Sequence, residues 1–350
     1  MTENKAWDPS TETLVCVAKW METADTVSLR FEANVAKDTA RTFNFKPGQF
    51  LTIGIDIEQQ MEYRAYSISS LPNANCAELT VKRVEGGKVS NYLIDDLSVG
   101  DVVTSLKPEG VFNSVDCTHR NRVTLISAGC GITPVMSMAK QWLATNADVE
   151  INFVHIARNK ESIIFAEQLT EFANMHLNFH ANLLLKDAEG TDYQQGKLSQ
   201  SLLKKMCPEL NNSTVFLCGP VQFMQDVKGY IESSDFDMNH FYEESFSPTV
   251  SKQGTKIDSD TDDSVQISVP DFGFELTIDK GTLLIDALEK GGIPVIAACR
   301  SGVCGSCKCK VAVGTVQTTS QETLTPDEIA QGFVLACSST INASVEIALS

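Results

Sequence analysis

Short apolar runs separated by turns fill the first third of the chain. Four of these runs have the length and β-branched content of strands, and they are Thr13–Trp20, Val27–Phe31, Phe50–Ile55 and Leu79–Val84. Turn-forming residues such as those in Lys46–Gly48 separate them. Many short strands at this spacing are typical of an antiparallel barrel. The pattern therefore predicts a β-barrel domain over residues 1–117.

From residue 118 to residue 246 apolar strands alternate with amphipathic helices. Val123–Ser127, Ile151–Ile156 and Val215–Cys218 are mostly apolar segments of strand length. After the first of them, apolar residues recur at i, i+3 and i+4 from Val135 to Leu143, as on one face of a helix. This alternation predicts an α/β domain with a parallel sheet.

A segment without hydrophobic periodicity precedes the third domain. Residues 247–264 are mostly small and polar, with several aspartates near their end. This composition cannot bury a core, so we predict a flexible acidic linker. The segments beyond it with the patterns of two hairpin strands, a helix and a closing strand are Val265–Val269, Phe274–Ile278, Thr282–Lys290 and Val345–Leu349. They predict an α+β module of the β-grasp kind over residues 265–350.

Composition narrows the classes of function. The chain has 350 residues, enough for two or three domains, and a formal net charge of −17. Nucleic acids and anionic lipids bind basic surfaces, so this charge argues against both as partners. No apolar run approaches the ~18–20 residues that span a bilayer. Residues 1–13 show no apolar signal segment, and eleven cysteines without such a signal favour a reducing cytoplasm. We expect a cytoplasmic monomer.

Four cysteines carry the strongest chemical signal. They follow the spacing C-x4-C-x2-C with a distant fourth member, and they are Cys299, Cys304, Cys307 and Cys337. This is the ligand spacing of a plant-type 2Fe–2S ferredoxin, and Gly302 and Gly305 allow the tight turns that such a loop needs. Zinc sites usually combine two close cysteine pairs, and disulfides need an oxidising compartment. We predict a 2Fe–2S cluster, with Cys309 as a strand residue packed behind the loop.

Two short motifs in the first domain indicate a bound flavin. Arg64, Tyr66 and Ser67 form an R-x-Y-S sequence, in which an Arg suits phosphate, an aromatic ring stacks on a flat heterocycle and a hydroxyl bonds a ring nitrogen. The segment 82–91 then runs through two glycines into a helix start, where backbone N–H groups and the Ser90 hydroxyl form an anion site. Each motif alone also fits a strand or a hairpin turn, but together they favour flavin phosphate binding.

Two junctions between strand and loop in the second domain indicate a dinucleotide site. The segment 129–134 follows a strand, and its glycines let the backbone approach a pyrophosphate. Thr133 is a candidate cap and Pro134 suits the first helical turn, although the G-x-G-x-x-G fingerprint is absent. Cys218 and Gly219 follow another strand, and the carboxyl ends of parallel strands share one rim. Cys218 either belongs to this site or is a buried core cysteine.

In this order the motifs resemble the ferredoxin–NADP reductase superfamily with a C-terminal ferredoxin domain, over nearly the whole chain. The segments that carry the resemblance are Ala128–Met138, Ala297–Cys307 and Leu324–Cys337. They look closest to the NADH oxidoreductases that reduce hybrid-cluster protein. Reductases of Rieske-type monooxygenases, including those acting on glycine betaine or carnitine, share the arrangement.

The resemblance implies cofactors and roles for the matching positions. The cofactors are FAD in preference to FMN, NADH and a 2Fe–2S cluster held by the four cysteines. Ser67, near flavin N5, and Cys218, near the nicotinamide ring, are the candidate catalytic residues. The positions implied to contact the flavin or its phosphate are Arg64, Tyr66, Ser67, Lys82, Val84, Gly87, Lys88 and Ser90. The positions implied to receive NADH are Gly129, Gly131, Thr133, Pro134, Cys218 and Gly219.

These parts predict an enzyme that converts hydride transfer into single-electron transfer. NADH delivers two electrons as hydride, a 2Fe–2S cluster accepts one at a time, and a flavin exchanges electrons in both ways. The predicted acceptor is a partner redox protein, either hybrid-cluster protein or, as the alternative, a Rieske oxygenase. A non-catalytic electron-transfer subunit is a further alternative. NADPH-binding proteins have an Arg next to a Ser or Thr in the segment that corresponds to 157–159, whereas this segment contains Arg158 without an adjacent Ser or Thr. The resemblance also favours NADH.

Overall fold

The computed structural model describes residues 12–34, 43–72, 74–145, 147–246, 264–298, 300, 302, 305–321 and 323–349. The described residues form two compact units. One lies within 10–62 and 66–246, and the other comprises 63–65 and the residues from 264 onward. The predicted linker lies outside the described residues apart from Ser264.

An antiparallel sheet begins the chain. Its strands are β1 (Glu12–Thr23), β2 (Thr26–Ala33), β3 (Phe50–Ile57), β4 (Gln60–Ser67), β5 (Cys76–Lys82) and β6 (Val102–Ser105), and the helix α1 (Lys88–Asp95) follows β5. The strand order is β4-β3-β6-β1-β2-β5. An antiparallel bridge from Ile68 to Leu79 links the two ends of this order, so the sheet curls as a barrel does. Leu29, Phe31 and Leu79 are fully buried inside it. The predicted antiparallel domain is confirmed.

A parallel sheet follows, with helices on both faces. Its strands are β7 (Arg122–Ala128), β8 (Glu150–Ala157), β9 (Phe179–Leu185), β10 (Gln194–Gln195), β11 (Thr214–Cys218) and β12 (Phe241–Glu244), and its helices are α2 (Ile132–Ala144), α3 (Ala166–Met175), α4 (Gln200–Met206) and α5 (Val221–Glu232). The strand order is β10-β9-β8-β7-β11-β12. The chain therefore leaves β7 in one direction and later returns to its other side at β11. Such a switch point opens a crevice at the carboxyl ends of the strands, where ligands bind.

The last unit is a small α+β fold. Its elements are β13 (Ser264–Val269), β14 (Phe274–Asp279), β15 (Thr282–Leu283), α6 (Leu284–Lys290), β16 (Lys308–Val313), β17 (Val316–Thr318), α7 (Pro326–Ala330), β18 (Phe333–Leu335), β19 (Ser339–Ile341) and β20 (Val345–Ala348). They form a five-stranded sheet β14-β13-β20-β16-β18 and a three-stranded sheet β15-β19-β17. Buried residues of α6, including Leu284 and Leu288, share one core with the larger sheet.

Two predicted boundaries are wrong for local reasons. The helix predicted from Thr282 begins two residues later, because Thr282 and Leu283 pair with β19. The strand predicted to reach Val84 ends at Lys82, and Val84 is 58% exposed at the start of a turn. Within the described part of the chain, no helix is both long and apolar enough to cross a membrane.

Candidate functional site

The loops after β7 and β11 touch at the switch point, and two glycines serve different purposes there. Gly129 has φ +54°, which favours glycine, and a Cβ added to it would meet no atom within 4 Å. A Cβ on Gly131 would instead overlap the carbonyl of Cys218 and lie 2.7 Å from the Gly219 nitrogen. Gly131 therefore lets the two loops pack together, whereas Gly129 leaves open space beside the backbone.

The start of α2 differs in one respect from the sequence prediction. Thr133 was the candidate cap, but Gly131 occupies the N-cap position and no side chain caps the helix. The Thr133 hydroxyl instead donates to the Cys130 carbonyl at 3.0 Å, within the loop. Pro134 lies in the first turn as predicted, where its missing N–H costs no helical hydrogen bond.

Cys218 lies at the end of β11 and is fully buried. Its neighbours in register are Ser127 on β7 and Glu244 on β12. Burial raises the pKa of the thiol well above its usual range, and the charge of Glu244 adds to this effect. The thiol is therefore protonated at neutral pH and acts chemically as a neutral, polarisable group rather than as a thiolate.

A cavity of about 530 Å³ opens beside these loops, within the size range of small-molecule sites. Much of its lining is apolar and includes Ala128, Ile156, Pro220 and Phe223. The basic side chains on its wall are those of Lys82, Arg158, Lys186 and Lys197. An apolar slot with basic residues suits the flat rings and phosphates of a dinucleotide, so the cavity fits NADH.

The end of β4 carries a buried hydroxyl without a partner. Ser67 is 5% exposed, and its Oγ has no hydrogen bond among the described residues. Tyr66, next to it, is half-buried against the barrel core. The Arg64 guanidinium donates to the Tyr63 carbonyl at 2.6 Å. Because buried hydroxyls are normally satisfied, the orphaned Ser67 Oγ fits a site that a polar ligand such as a flavin completes.

The turn before α1 uses the Ser90 hydroxyl internally. This hydroxyl accepts from the Val84 N–H at 3.3 Å and donates to the Gly87 carbonyl at 3.4 Å. Gly87 is the N-cap, and no side chain caps the helix. Lys88 pairs with Glu62 at 3.0 Å, and Lys82 pairs with Asp25 at 2.8 Å. The backbone N–H groups of the first turn, rather than the Ser90 hydroxyl, are thus the donors suited to an anion.

The predicted cluster ligands are partly described. Cys299 and Cys304 lie outside the described residues, whereas Cys307 and Cys337 are buried close together. The Cys337 N–H points to Cys307 Sγ at 3.4 Å, and the Gly302 N–H points to Cys337 Sγ at 3.2 Å. Backbone N–H groups directed at thiolate sulfurs stabilise an anionic iron–sulfur cluster, so this donor set fits one. Cys309 is buried on β16 behind the loop, as predicted.

Residues in or beside the loop include some that sequence reasoning missed. The hydroxyls of Ser306 and Thr323 are buried and have no hydrogen-bond partner among the described residues. Arg300 has φ +51°, and its guanidinium pairs with Glu289 and with Asp286 on α6, the latter at 3.0 Å. Spacing alone gives no signal for the two hydroxyls, because serine and threonine are common at surfaces.

Comparisons with known families cover each part of the chain. Residues 14–113 match the oxidoreductase FAD-binding domain, residues 125–229 the oxidoreductase NAD-binding domain and residues 269–342 the 2Fe-2S iron-sulfur cluster binding domain. The solved structure of phthalate dioxygenase reductase is similar in fold, with a TM-score of 0.65 at 22% identity over 97% of this chain and 98% of that one.

Two curated relatives match most of the chain. The glycine betaine monooxygenase reductase subunit of Chromohalobacter salexigens is 32% identical over 98% of this chain and 96% of its own length. NADH oxidoreductase HCR of Escherichia coli is 32% identical over 85% of this chain and 86% of its own length. The cofactors are therefore FAD, NADH and a 2Fe–2S cluster. The chain belongs to the ferredoxin–NADP reductase superfamily, as an NADH-dependent flavin oxidoreductase with a C-terminal 2Fe–2S ferredoxin domain.

Proposed function

We propose that this chain is the reductase component of a monooxygenase of the glycine betaine kind and passes electrons from NADH to the oxygenase component. One observation carries the proposal. The glycine betaine monooxygenase reductase subunits of Chromohalobacter salexigens and Pseudomonas aeruginosa each match 98% of the chain, at 32% identity. A match of that extent includes the ferredoxin domain, the part that meets a protein acceptor.

Hybrid-cluster protein is the second candidate acceptor. The sequence motifs favour it, and NADH oxidoreductase HCR shows the same 32% identity over 85% of the chain. The two acceptors differ in the surface that docks on the ferredoxin domain, so a direct electron-transfer assay separates them.

The barrel residues bind and orient the flavin in this proposal. Bound FAD would supply the chemistry that the protein's own residues lack, namely acceptance of a hydride and release of the electrons one at a time. Tyr66 contributes a ring for stacking, and Ser67 offers its orphaned hydroxyl to a ring nitrogen. Arg64 and the first-turn N–H groups of α1, from Lys88 onward, neutralise the phosphates.

The loops at the switch point receive NADH. The open backbone at Gly129 admits the pyrophosphate. Gly131 holds the loop against the turn that carries Cys218 and Gly219. Cys218 would lie next to the nicotinamide, where its neutral thiol would exclude water without bringing a charge to the reacting ring. This arrangement favours hydride transfer, because a buried site suppresses competing reactions with water.

The cluster residues form the exit for electrons. Cys299, Cys304, Cys307 and Cys337 are the proposed iron ligands. The N–H groups of Gly302 and Cys337 support the anionic sulfurs.

An anaerobic mixing experiment tests the acceptor. The protein is reduced with NADH and mixed rapidly with the glycine betaine oxygenase component or with hybrid-cluster protein, while the visible absorbance of the oxidised cluster is followed. We expect fast reoxidation by the oxygenase component and slow reoxidation by hybrid-cluster protein. Fast reoxidation by hybrid-cluster protein alone would instead establish the second candidate.

A further inference from the structure

Asp25, in the turn between β1 and β2, holds two of the basic side chains that line the dinucleotide cavity. Its Oδ1 accepts from Lys82 Nζ at 2.8 Å, and its Oδ2 accepts from Arg158 Nη2 at 2.9 Å. The hydroxyls of Thr23 and Thr26 also donate to Oδ1, at 2.9 and 3.1 Å. Asp25 thus reaches from the barrel to the nucleotide-binding part of the same compact unit and sets the charge at the rim of the cavity.

Asp25 is ionised at neutral pH. Partial burial opposes ionisation, but the hydrogen bonds from Lys82, Thr23 and Thr26 outweigh it and lower the pKa to about 2. A full negative charge therefore lies between the Lys82 ammonium and the Arg158 guanidinium.

Arg158 occupies the position where dinucleotide sites distinguish the two nicotinamide cofactors. It directly follows β8, the second strand of the sheet in chain order, and it lines the cavity. An Arg at such a position accommodates the 2′-phosphate of NADP. The Ser162 hydroxyl is also near, but it accepts from the N–H groups of Arg158 and Asn159 at 3.1 and 3.0 Å. The chain therefore carries a phosphate-binding side chain whose guanidinium is bound to a carboxylate.

We propose that Asp25 is a specificity-determining residue that makes this enzyme prefer NADH to NADPH. The Asp25 carboxylate binds Arg158 and Lys82, so these two cations are not available to bind the 2′-phosphate of NADPH. Its own charge also repels that phosphate. NADH carries a neutral 2′-hydroxyl and does not experience this penalty. The proposal rests on the assignment of the cavity as the NADH site.

Two further observations support an electrostatic role. Lys197, another basic residue of the cavity wall, is likewise bound to a carboxylate, that of Asp226 at 3.0 Å. The Arg158 side chain is 70% exposed, and ion pairs this exposed contribute little to folding stability. The pair between Asp25 and Arg158 therefore matters through the local potential and not by holding the fold together.

The test compares cofactor preference in matched variants, with ferricyanide as acceptor so that no partner protein is needed. Asp25→Asn keeps an oxygen acceptor for Thr23 and Thr26 and removes the charge. We expect it to raise the ratio of kcat/KM for NADPH to that for NADH by roughly tenfold, the order of one partly screened charge interaction. The affinity for NADP⁺, measured by titration of the flavin absorbance, should rise in parallel.

A double variant and a control variant test whether the effect of Asp25→Asn is specific. Adding Arg158→Gln to Asp25→Asn should cancel most of the gain, because the freed guanidinium is the phosphate ligand. Asp116→Asn removes an exposed ion pair with Lys46 and should leave the ratio unchanged. A ratio unaltered by Asp25→Asn would overturn the proposal, as would a gain that survives the loss of Arg158.

A cavity variant separates this proposal from the assignment on which it rests. Phe223→Ala removes a large apolar side chain from the cavity wall and should weaken the binding of NAD⁺ itself. If Phe223→Ala leaves NAD⁺ binding unchanged, the cavity is not the dinucleotide site. Both the assignment of the cavity and the role of Asp25 are then wrong. If NAD⁺ binding responds while Asp25→Asn leaves the ratio unchanged, only the role of Asp25 is wrong.

Discussion

Ser127 Oγ and His155 Nδ1 lie 2.9 Å apart, both fully buried, on the neighbouring strands β7 and β8. The other ring nitrogen, Nε2, has no hydrogen-bond partner among the described residues. Burial lowers the pKa of His155 to about 3, and a hydrogen bond with the Ser127 backbone only partly opposes this shift. The imidazole is therefore neutral in the folded protein at neutral pH.

A pH dependence of stability follows from this buried histidine. An unfolded histidine has a pKa of about 6.5. Between about pH 6.5 and pH 3 the unfolded state therefore binds a proton at this residue and the folded state does not. This contribution to stability is complete above pH 6.5 and falls with decreasing pH, by up to about 1.4 kcal/mol per pH unit. Calorimetric unfolding at pH 7.5 and pH 5.5 measures the effect. His155→Gln should show the smaller decrease in Tm, and an equal decrease in both proteins would contradict the assignment.

Two buried serines in one segment offer a matched pair for the flavin site. The Ser67 hydroxyl is orphaned, whereas the Ser69 hydroxyl donates to the Glu78 carbonyl at 3.2 Å. Ser69→Ala should lower the free energy of unfolding by about 1 kcal/mol with little effect on flavin reduction. Ser67→Ala should leave the stability of the flavin-free protein unchanged and slow flavin reduction by NADH about tenfold, the loss expected for one hydrogen bond to the reacting ring. Stopped-flow absorbance and thermal unfolding measure the two effects, and a Ser67→Ala protein with normal flavin reduction argues against the proposed contact.

The two glycines of the first nucleotide loop should respond differently to alanine. Gly131→Ala forces a Cβ against the backbone of Cys218 and Gly219, which should cost about 1–3 kcal/mol of stability. Gly129→Ala meets no atom but must hold a left-handed backbone, at a cost of about 1–2 kcal/mol. Its new methyl group would also narrow the space proposed for the pyrophosphate. We expect Gly129→Ala to weaken NAD⁺ binding more than its effect on Tm explains. If both variants lose the same amount of NAD⁺ affinity for each degree by which Tm falls, the two glycines do not have separate roles.

The sequence predicted those features that local pattern or spacing determines. The strands β7, β8 and β11 lie within one or two residues of their predicted bounds, because each is a mostly apolar segment of strand length. Features that depend on distant pairings could not be predicted. The contact between Asp25 and Arg158 joins residues 133 positions apart, and no short motif encodes it. The close approach of Gly131 to Cys218 likewise depends on the strand order, so from the sequence both loop glycines looked like ligand contacts.

The orphaned hydroxyls beside the cluster loop should tune the cluster. The Thr323 hydroxyl is buried and lies 3.2 Å from the position of a Cβ on Gly305. We expect it to donate to a sulfur atom of the cluster or of a ligand cysteine. Such a hydrogen bond stabilises the more negative, reduced state of the cluster. Thr323→Val keeps the shape and removes the donor, so the midpoint potential should become more negative while thermal stability is unchanged or higher. A redox titration followed by electron paramagnetic resonance measures the shift, and an unchanged potential would show that the hydroxyl does not reach the cluster.

Two buried cysteines of the ferredoxin domain test the ligand assignment against simple burial. Cys309 and Cys337 are both buried in the same core, and burial raises the pKa of Cys309 to about 12, as for a structural thiol. Within the described part of the cluster loop, the Gly302 N–H approaches Cys337 and no N–H group approaches Cys309. Cys337→Ala should lose the iron and the visible cluster absorbance, keep FAD and reduce ferricyanide with NADH, yet fail to pass electrons to a protein acceptor. Cys309→Ala should keep the iron and all activities, with a loss of stability of about 1 kcal/mol from the small cavity. Iron analysis of the two purified variants decides the matter, since equal iron contents would mean that spacing had identified the wrong fourth ligand.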